Sequence, residues 1–178
     1  MKEPRGDTKH QILANALRLF SRLGYDGTSI RQLTGALGIT PAALYYHFNS
    51  KQHLLEALAE GFIHDSDLLL DKLRGTEHGP DGTKVALEGL YDLLSQHLTV
   101  FRLIFNDAAI QGSSVGTVLR QQTREFFEFL MGNEPTTEDR LRMAGAVGVI
   151  RLSLEQPGVD PAEHRAVILA RANRLLAD

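Results

Sequence analysis

Apolar residues recur along this chain at helical spacing almost from end to end, and Gly/Pro clusters interrupt the rhythm. Ile12, Leu13, Ala16, Leu17, Phe20 and Leu23 form one stripe and predict a first helix. Thr8 and Gln11 have the spacing of a capping box, so that helix is expected to start at Thr8 and to stop at Gly24. Ile30, Leu33 and Leu37 mark a second helix, opened by Ser29 with Gln32 and closed by Gly38. Thr40 caps a third, with Pro41 in its first turn, where a missing N–H costs nothing; it runs to about Phe48. Asn49 or Ser50 caps a long fourth helix over 51–74. Gly75–Gly82 reads as a loop, and further helices are expected near 82–98, 100–110, 114–132, 137–155 and 160–177. No sustained period-2 alternation of β-branched residues occurs. The fold class is therefore all-α, with about nine helices.

Composition narrows the chemistry. With 178 residues, 43% of them hydrophobic, the chain can bury a real core. The absence of cysteine excludes a disulfide scaffold, a thiolate zinc site and a cysteine nucleophile. No run approaches the length of a membrane-spanning helix, and the charged N-terminus MKEPRGDTKH is not a secretory signal, so a cytoplasmic location is expected. The net charge of −3 is unevenly spread. Residues 1–60 hold seven Lys/Arg and five Asp/Glu; the rest holds 12 and 17. A mildly basic head thus precedes an acidic body.

The stretch TSIRQLTGALGITPAALYYHFNSK, Thr28–Lys51, is the most specific in the chain. Two short helical patterns meet at a Gly-containing turn, the layout that docks a second helix in the DNA major groove. Leu33, Leu37, Ile39 and Leu44 are placed to lock the two helices. Pro41, Ala42 and Ala43 keep the start of the second small, so the backbone can approach base edges, and alanine methyls can touch thymine methyls. Tyr45, Tyr46 and His47 can hydrogen-bond phosphates or a base edge, and Lys51 adds charge beside a helix start suited to phosphate. A Tyr-Tyr-His-Phe cluster also occurs in ordinary helical corners; the pattern around it favours the DNA reading.

Residues Ile12 to Leu55 resemble the N-terminal domain of the TetR family of transcriptional regulators. The likeness rests on Ile12-Leu13, Ala16, Leu19-Phe20, Gly24-Tyr25, Thr28-Ser29-Ile30, Gly38-Ile39-Thr40, Ala43 to Phe48, Ser50-Lys51 and Leu54-Leu55. Thr34-Gly35 departs from it, since an alanine pair is more usual there. The resemblance implies phosphate contacts from Thr28, Thr40, Tyr46, His47 and Lys51. It implies base contacts from Arg31, Pro41, Ala42, Ala43 and Tyr45, with Tyr45 open to either role. The basic arm Lys2–Lys9 could reach a flanking groove or fray.

The resemblance further implies a two-part chain: residues 1–50 as the helix-turn-helix domain and 51–178 as a helical ligand-binding and dimerisation domain. Helices 137–155 and 160–177 are apolar on more than one face, and small residues permit close approach. Gly145, Gly148, Val149, Leu152, Val167, Ile168 and Leu175 are the candidate dimer residues of a four-helix interface. A pocket among helices four to eight would draw on Phe62, His64, Leu90, Tyr91, Leu94, His97, Phe101, Phe105, Phe126 and Met143, although the same spacings describe any helical core. No histidine or carboxylate spacing makes a metal site, and no cofactor is implied.

The expected function is that of a ligand-responsive repressor, which binds a pseudo-palindromic operator on double-stranded DNA as a homodimer and is released by a small-molecule effector that swings the fourth helix. The alternative is a helical carrier or protein-interaction module, which would have no need of Tyr45, Tyr46, His47 and Lys51. No nucleophile elbow, HExxH, P-loop or GxGxxG occurs, so an enzyme is not expected.

Overall fold

The computed structural model describes residues 5–132, 134–158 and 160–177. Among the described residues ten helices follow one another: α1 (Arg5–Leu23), α2 (Ile30–Leu37), α3 (Pro41–His47), α4 (Lys51–Arg74), α5 (Pro80–Gln96), α6 (Leu98–Asn106), α7 (Ala108–Gln111), α8 (Ser114–Met131), α9 (Thr137–Glu155) and α10 (Pro161–Ala177). No strand occurs among the described residues. Lys2, at the start of the basic arm, lies outside them.

Three boundaries differ from the sequence expectation, each for a local reason. Helix α1 begins at Arg5, so Thr8 lies inside it rather than capping it. Extending a helix whose apolar face is already docked costs little per residue, and the chain extends it past the capping signal. Helix α5 starts at Pro80 rather than at 82, with proline in the first turn after Gly79. The helix expected over 100–110 is broken in two, because the Asp107 carboxylate accepts the amides of Ala109 and Ile110 at 3.0 and 3.2 Å and caps a new helix. That break makes ten helices out of about nine.

The residues group into two compact units, one running up to Phe62 and including Thr99–Val118, the other made of Ile63–Leu98 with the residues from Leu119 on. In the first, α1 packs on α2 and α2 on α3. Ile12, Ala16, Phe20, Leu33, Leu44, Phe48, Leu54 and Leu55 are buried together as its core. Phe62, Phe101 and Phe105 form an aromatic cluster in the same unit, with ring centroids 4.5–6.5 Å apart. In the second unit α10 packs on α9 and α5. Tyr91 on α5 is buried; its hydroxyl donates to the Pro161 carbonyl at 2.6 Å and the Arg165 guanidinium lies over its ring. Helix α9 opens with a reciprocal Thr136–Asp139 capping box, whose hydrogen bonds hold the Asp139 carboxyl below its ordinary pKa.

Candidate nucleic-acid interface

The recognition segment is built from helix ends. Ser29 Oγ accepts the Gln32 amide, and the Gln32 side chain accepts the Ser29 amide at 2.7 Å, closing the start of α2 from both sides. At its other end Gly38 takes φ 65°, ψ 23°, a left-handed conformation that any side chain would strain, and Ile39 N–H donates back to the Thr34 carbonyl. Two residues later Thr40 Oγ1 accepts the Ala43 amide at 3.1 Å and Pro41 occupies the first turn of α3. Between two caps the chain has almost no freedom, so α3 leaves α2 in one direction.

What α3 buries and what it shows then follow from its seven residues. Leu44 is fully buried, on a helix that packs against α2, and Phe48 beyond its end is buried too. A polar clamp backs this packing: Asn15 on α1, itself buried, donates to the Leu33 carbonyl at 3.0 Å and is held by Arg18 at 2.8 Å. The opposite face carries Thr40, Pro41, Ala42, Tyr45 and Tyr46, all exposed, with Ala43 and His47 half-buried. Tyr46 is 70% exposed and Tyr45 46% exposed, high values for residues that usually bury most of their area. The rings of Tyr46 and His47 meet edge to face at 5.1 Å. Arg31, on α2, is exposed as well. Eight of the residues expected at the interface therefore belong to one turn and the two short helices it joins.

Thr28 and Lys51 occupy a different setting. Thr28 is 1% exposed, and its hydroxyl donates to the carbonyls of Gly24 and Leu19 at 2.8 and 3.3 Å. The Lys51 ammonium donates to the carbonyls of Tyr25 and Thr28 at 2.7 and 3.0 Å and sits 4.2 Å from the centre of the Tyr25 ring. Both side chains brace the loop before α2. Burial, followed by the nearby Asp26 and Glu56 charges, raises the Tyr25 hydroxyl above its ordinary pKa.

The expected body residues divide between the two units. Phe62, Phe101 and Phe105 belong to the first; His64, Leu90, Tyr91, Leu94, His97, Phe126 and Met143 belong to the second. Within the second, His64 is exposed, whereas Tyr91, Leu94, Phe126 and Met143 are buried and His97 Nε2 lies 2.7 Å from the Asp65 carboxylate. Among the candidate dimer residues, Leu152, Val167 and Leu175 are exposed, and Gly145, Gly148 and Val149 are partly so. Ile168 is buried in the monomer, on the inner side of α10, so its side chain is not at the surface. No cluster of His, Asp or Glu suited to a metal occurs among the described residues, and no helix among them is long and apolar enough to cross a membrane.

Comparison with known proteins agrees with this geometry. Residues 12–58 match the sequence model for bacterial regulatory proteins of the tetR family. The biofilm operon icaADBC HTH-type negative transcriptional regulator IcaR of Staphylococcus aureus (strain Newman) is 46% identical over 48 residues, 27% of this chain and 26% of that protein. IcaR of Staphylococcus epidermidis is 32% identical over 99 residues, 55% of this chain and 46% of that protein. The chain thus spans about a quarter to a half of the length of these relatives. Among solved structures, AmtR of Mycobacterium smegmatis superposes with a TM-score of 0.67 at 24% identity, over 100% of this chain and 90% of that one, which extends the likeness in fold to the C-terminal helices. Residues 12–58 thus carry the helix-turn-helix sequence of the tetR family of bacterial regulatory proteins, and the chain as a whole shares the all-helical fold of AmtR.

Proposed function

We propose that the chain is a repressor that binds a pseudo-palindromic operator as a homodimer and releases it when a small molecule occupies the C-terminal helices. The observation that carries the DNA part is the exposed face of α3: small residues at its start, two open tyrosines at its end, and a twice-capped turn fixing its direction. Thr40, Tyr46 and His47 serve phosphates, and Arg31, Pro41, Ala42, Ala43 and Tyr45 face base edges. The buried Thr28 and the braced Lys51 serve the interface by holding its entry loop. The functional division is residues 1–50 for DNA and 51–178 for ligand and partner.

The dimer part is supported by the aliphatic face of α9 and α10. Leu152 and Val167 are 59% and 52% exposed, and at Gly148, one turn before Leu152, an added Cβ would meet nothing within 4 Å, which leaves room for a second backbone. Two heads add their energies on half-sites ~34 Å apart. Release then requires an effector that binds the DNA-incompetent state more tightly, by several kcal/mol for a near-complete switch. The activity is non-enzymic, cofactor-free and cytoplasmic.

Selection of bound duplexes from a random pool, followed by anisotropy over a salt series, tests the reading. A single enriched, two-fold-related sequence is expected, with affinity falling by a logarithmic slope of about −0.9 per phosphate neutralised. Binding without sequence preference would remove the regulator reading.

A further inference from the structure

The loop between α1 and α2, Gly24 to Ser29, sets where the recognition pair begins, and it is gripped by a side chain from far along the chain. Asp107 stands between α6 and α7. A helix cap needs one acceptor oxygen, and Asp107 Oδ1 supplies it, taking the amides of Ala109 and Ile110. The other oxygen is left over. Oδ2 accepts the Tyr25 amide at 2.6 Å, across 82 residues of sequence. This is a short, charge-assisted bond. Gly24 makes it possible: with φ 80° it turns the chain out of α1 so that the next N–H meets the carboxylate.

Three side chains therefore hold the backbone of Gly24, Tyr25 and Thr28. Lys51 takes the carbonyls of Tyr25 and Thr28, the Thr28 hydroxyl takes those of Leu19 and Gly24, and Asp107 takes the Tyr25 N–H. The first two belong to the chain up to residue 51. Asp107 comes from the 99–118 segment of the same compact unit. A displacement of about 1 Å at the α6–α7 corner carries a bond of this length past hydrogen-bond reach.

We propose that Asp107 is a positioning residue for DNA recognition, a charged latch that keeps the α1–α2 joint, and with it the start of α2, in binding register and lets go when the α6–α7 corner moves. The proposal rests on the DNA-binding reading above. It assigns the corner a direct hold on the head.

Asp107→Ser separates the two jobs of the carboxylate. Serine still caps α7 but has no second oxygen for Tyr25. The expected result in the full-length chain is an unfolding midpoint close to the parent's. Affinity for the selected duplex falls about tenfold, and the Tyr25 amide proton moves upfield in a ¹⁵N–¹H spectrum. Asp107→Ala loses the cap as well and adds a drop in stability. The latch is overturned if Asp107→Ser binds the duplex as tightly as the parent, or if its affinity falls with the Tyr25 resonance unmoved. A parent chain that selects no duplex overturns the DNA reading and the latch with it. That outcome is distinguishable, since failure of the latch alone leaves the parent binding.

Discussion

Two regions of this molecule hold large apolar side chains in water, and they do so differently. On α3 the exposed groups are Tyr45 and Tyr46, each ending in a hydroxyl, on a helix of seven residues fixed by caps at both ends of the preceding turn. On α9 and α10 they are Leu141, Leu152, Val167 and Leu175, purely aliphatic, on helices of 19 and 17 residues. A tyrosine can trade water for a phosphate or a base edge and keep its hydrogen bond. A leucine gains only by leaving water, at about 25 cal/mol per Å² buried. In its chemistry the first surface suits a polar, charged partner, the second another apolar surface. A small face must be aimed rigidly; a broad one can tolerate looser definition.

The sharpest way to break this contrast is to disturb each surface from behind or at its centre. Leu44→Ala removes the fully buried anchor of α3, and a loss of about 2–5 kcal/mol is expected in denaturant unfolding of the first unit. DNA binding should fail with it while the helices of the second unit, α5, α9 and α10 among them, keep their circular dichroism. Leu152→Glu places a charge in the centre of the aliphatic face; it should cost the monomer little, since the side chain is exposed, yet shift the species seen by light scattering from dimer to monomer. Equal damage to monomer stability would show that the face is not an interface.

Lysine 51 sharpens the comparison at the head. A lysine that neutralises a phosphate takes about 0.9 from the salt slope when removed. A lysine that braces a loop leaves the slope alone. Since its ammonium is held by two carbonyls and a tyrosine face, Lys51→Ala should weaken binding to every sequence with the slope unchanged, as measured by anisotropy from low to moderate salt. The smallest effect expected is a gain. Gly35 lies exposed on α2, and a methyl there meets nothing within 4 Å. Gly35→Ala should therefore stabilise the chain by up to about 1 kcal/mol in thermal or denaturant unfolding.

The head was legible in the sequence because its geometry is imposed by local chemistry. Ser29 with Gln32, Gly38, Thr40 and Pro41 each have one favoured use at a helix end, and the structure shows each in that use. Legibility failed where distant groups decide. Thr28 and Ser29 look alike as hydroxyl residues before a helix. Only the fold shows that Ser29 caps while Thr28 turns inward to two carbonyls. Lys51 reads as a free cation until Tyr25 is seen beneath it. Asn15 sits within the buried stripe of α1 and signals, as a polar residue on an apolar face, the clamp it makes with Leu33. Asp107 interrupts a helical pattern, and that interruption was the available sign that its side chain competes with the helix backbone. In the body, apolar periodicity located the helices but could not tell inner from outer positions. Ile168 and Val167 are neighbours of similar character, one buried and one 52% exposed.

The measurement that bears most directly on the account is the spacing dependence of operator binding. A selected duplex is compared with one carrying about five extra base pairs between its half-sites, which turns one half-site to the opposite side of the helix. Two heads held by one dimer predict an affinity loss of at least about a hundredfold, with either half-site alone binding as weakly as the altered duplex. Undiminished binding to the altered duplex would contradict it.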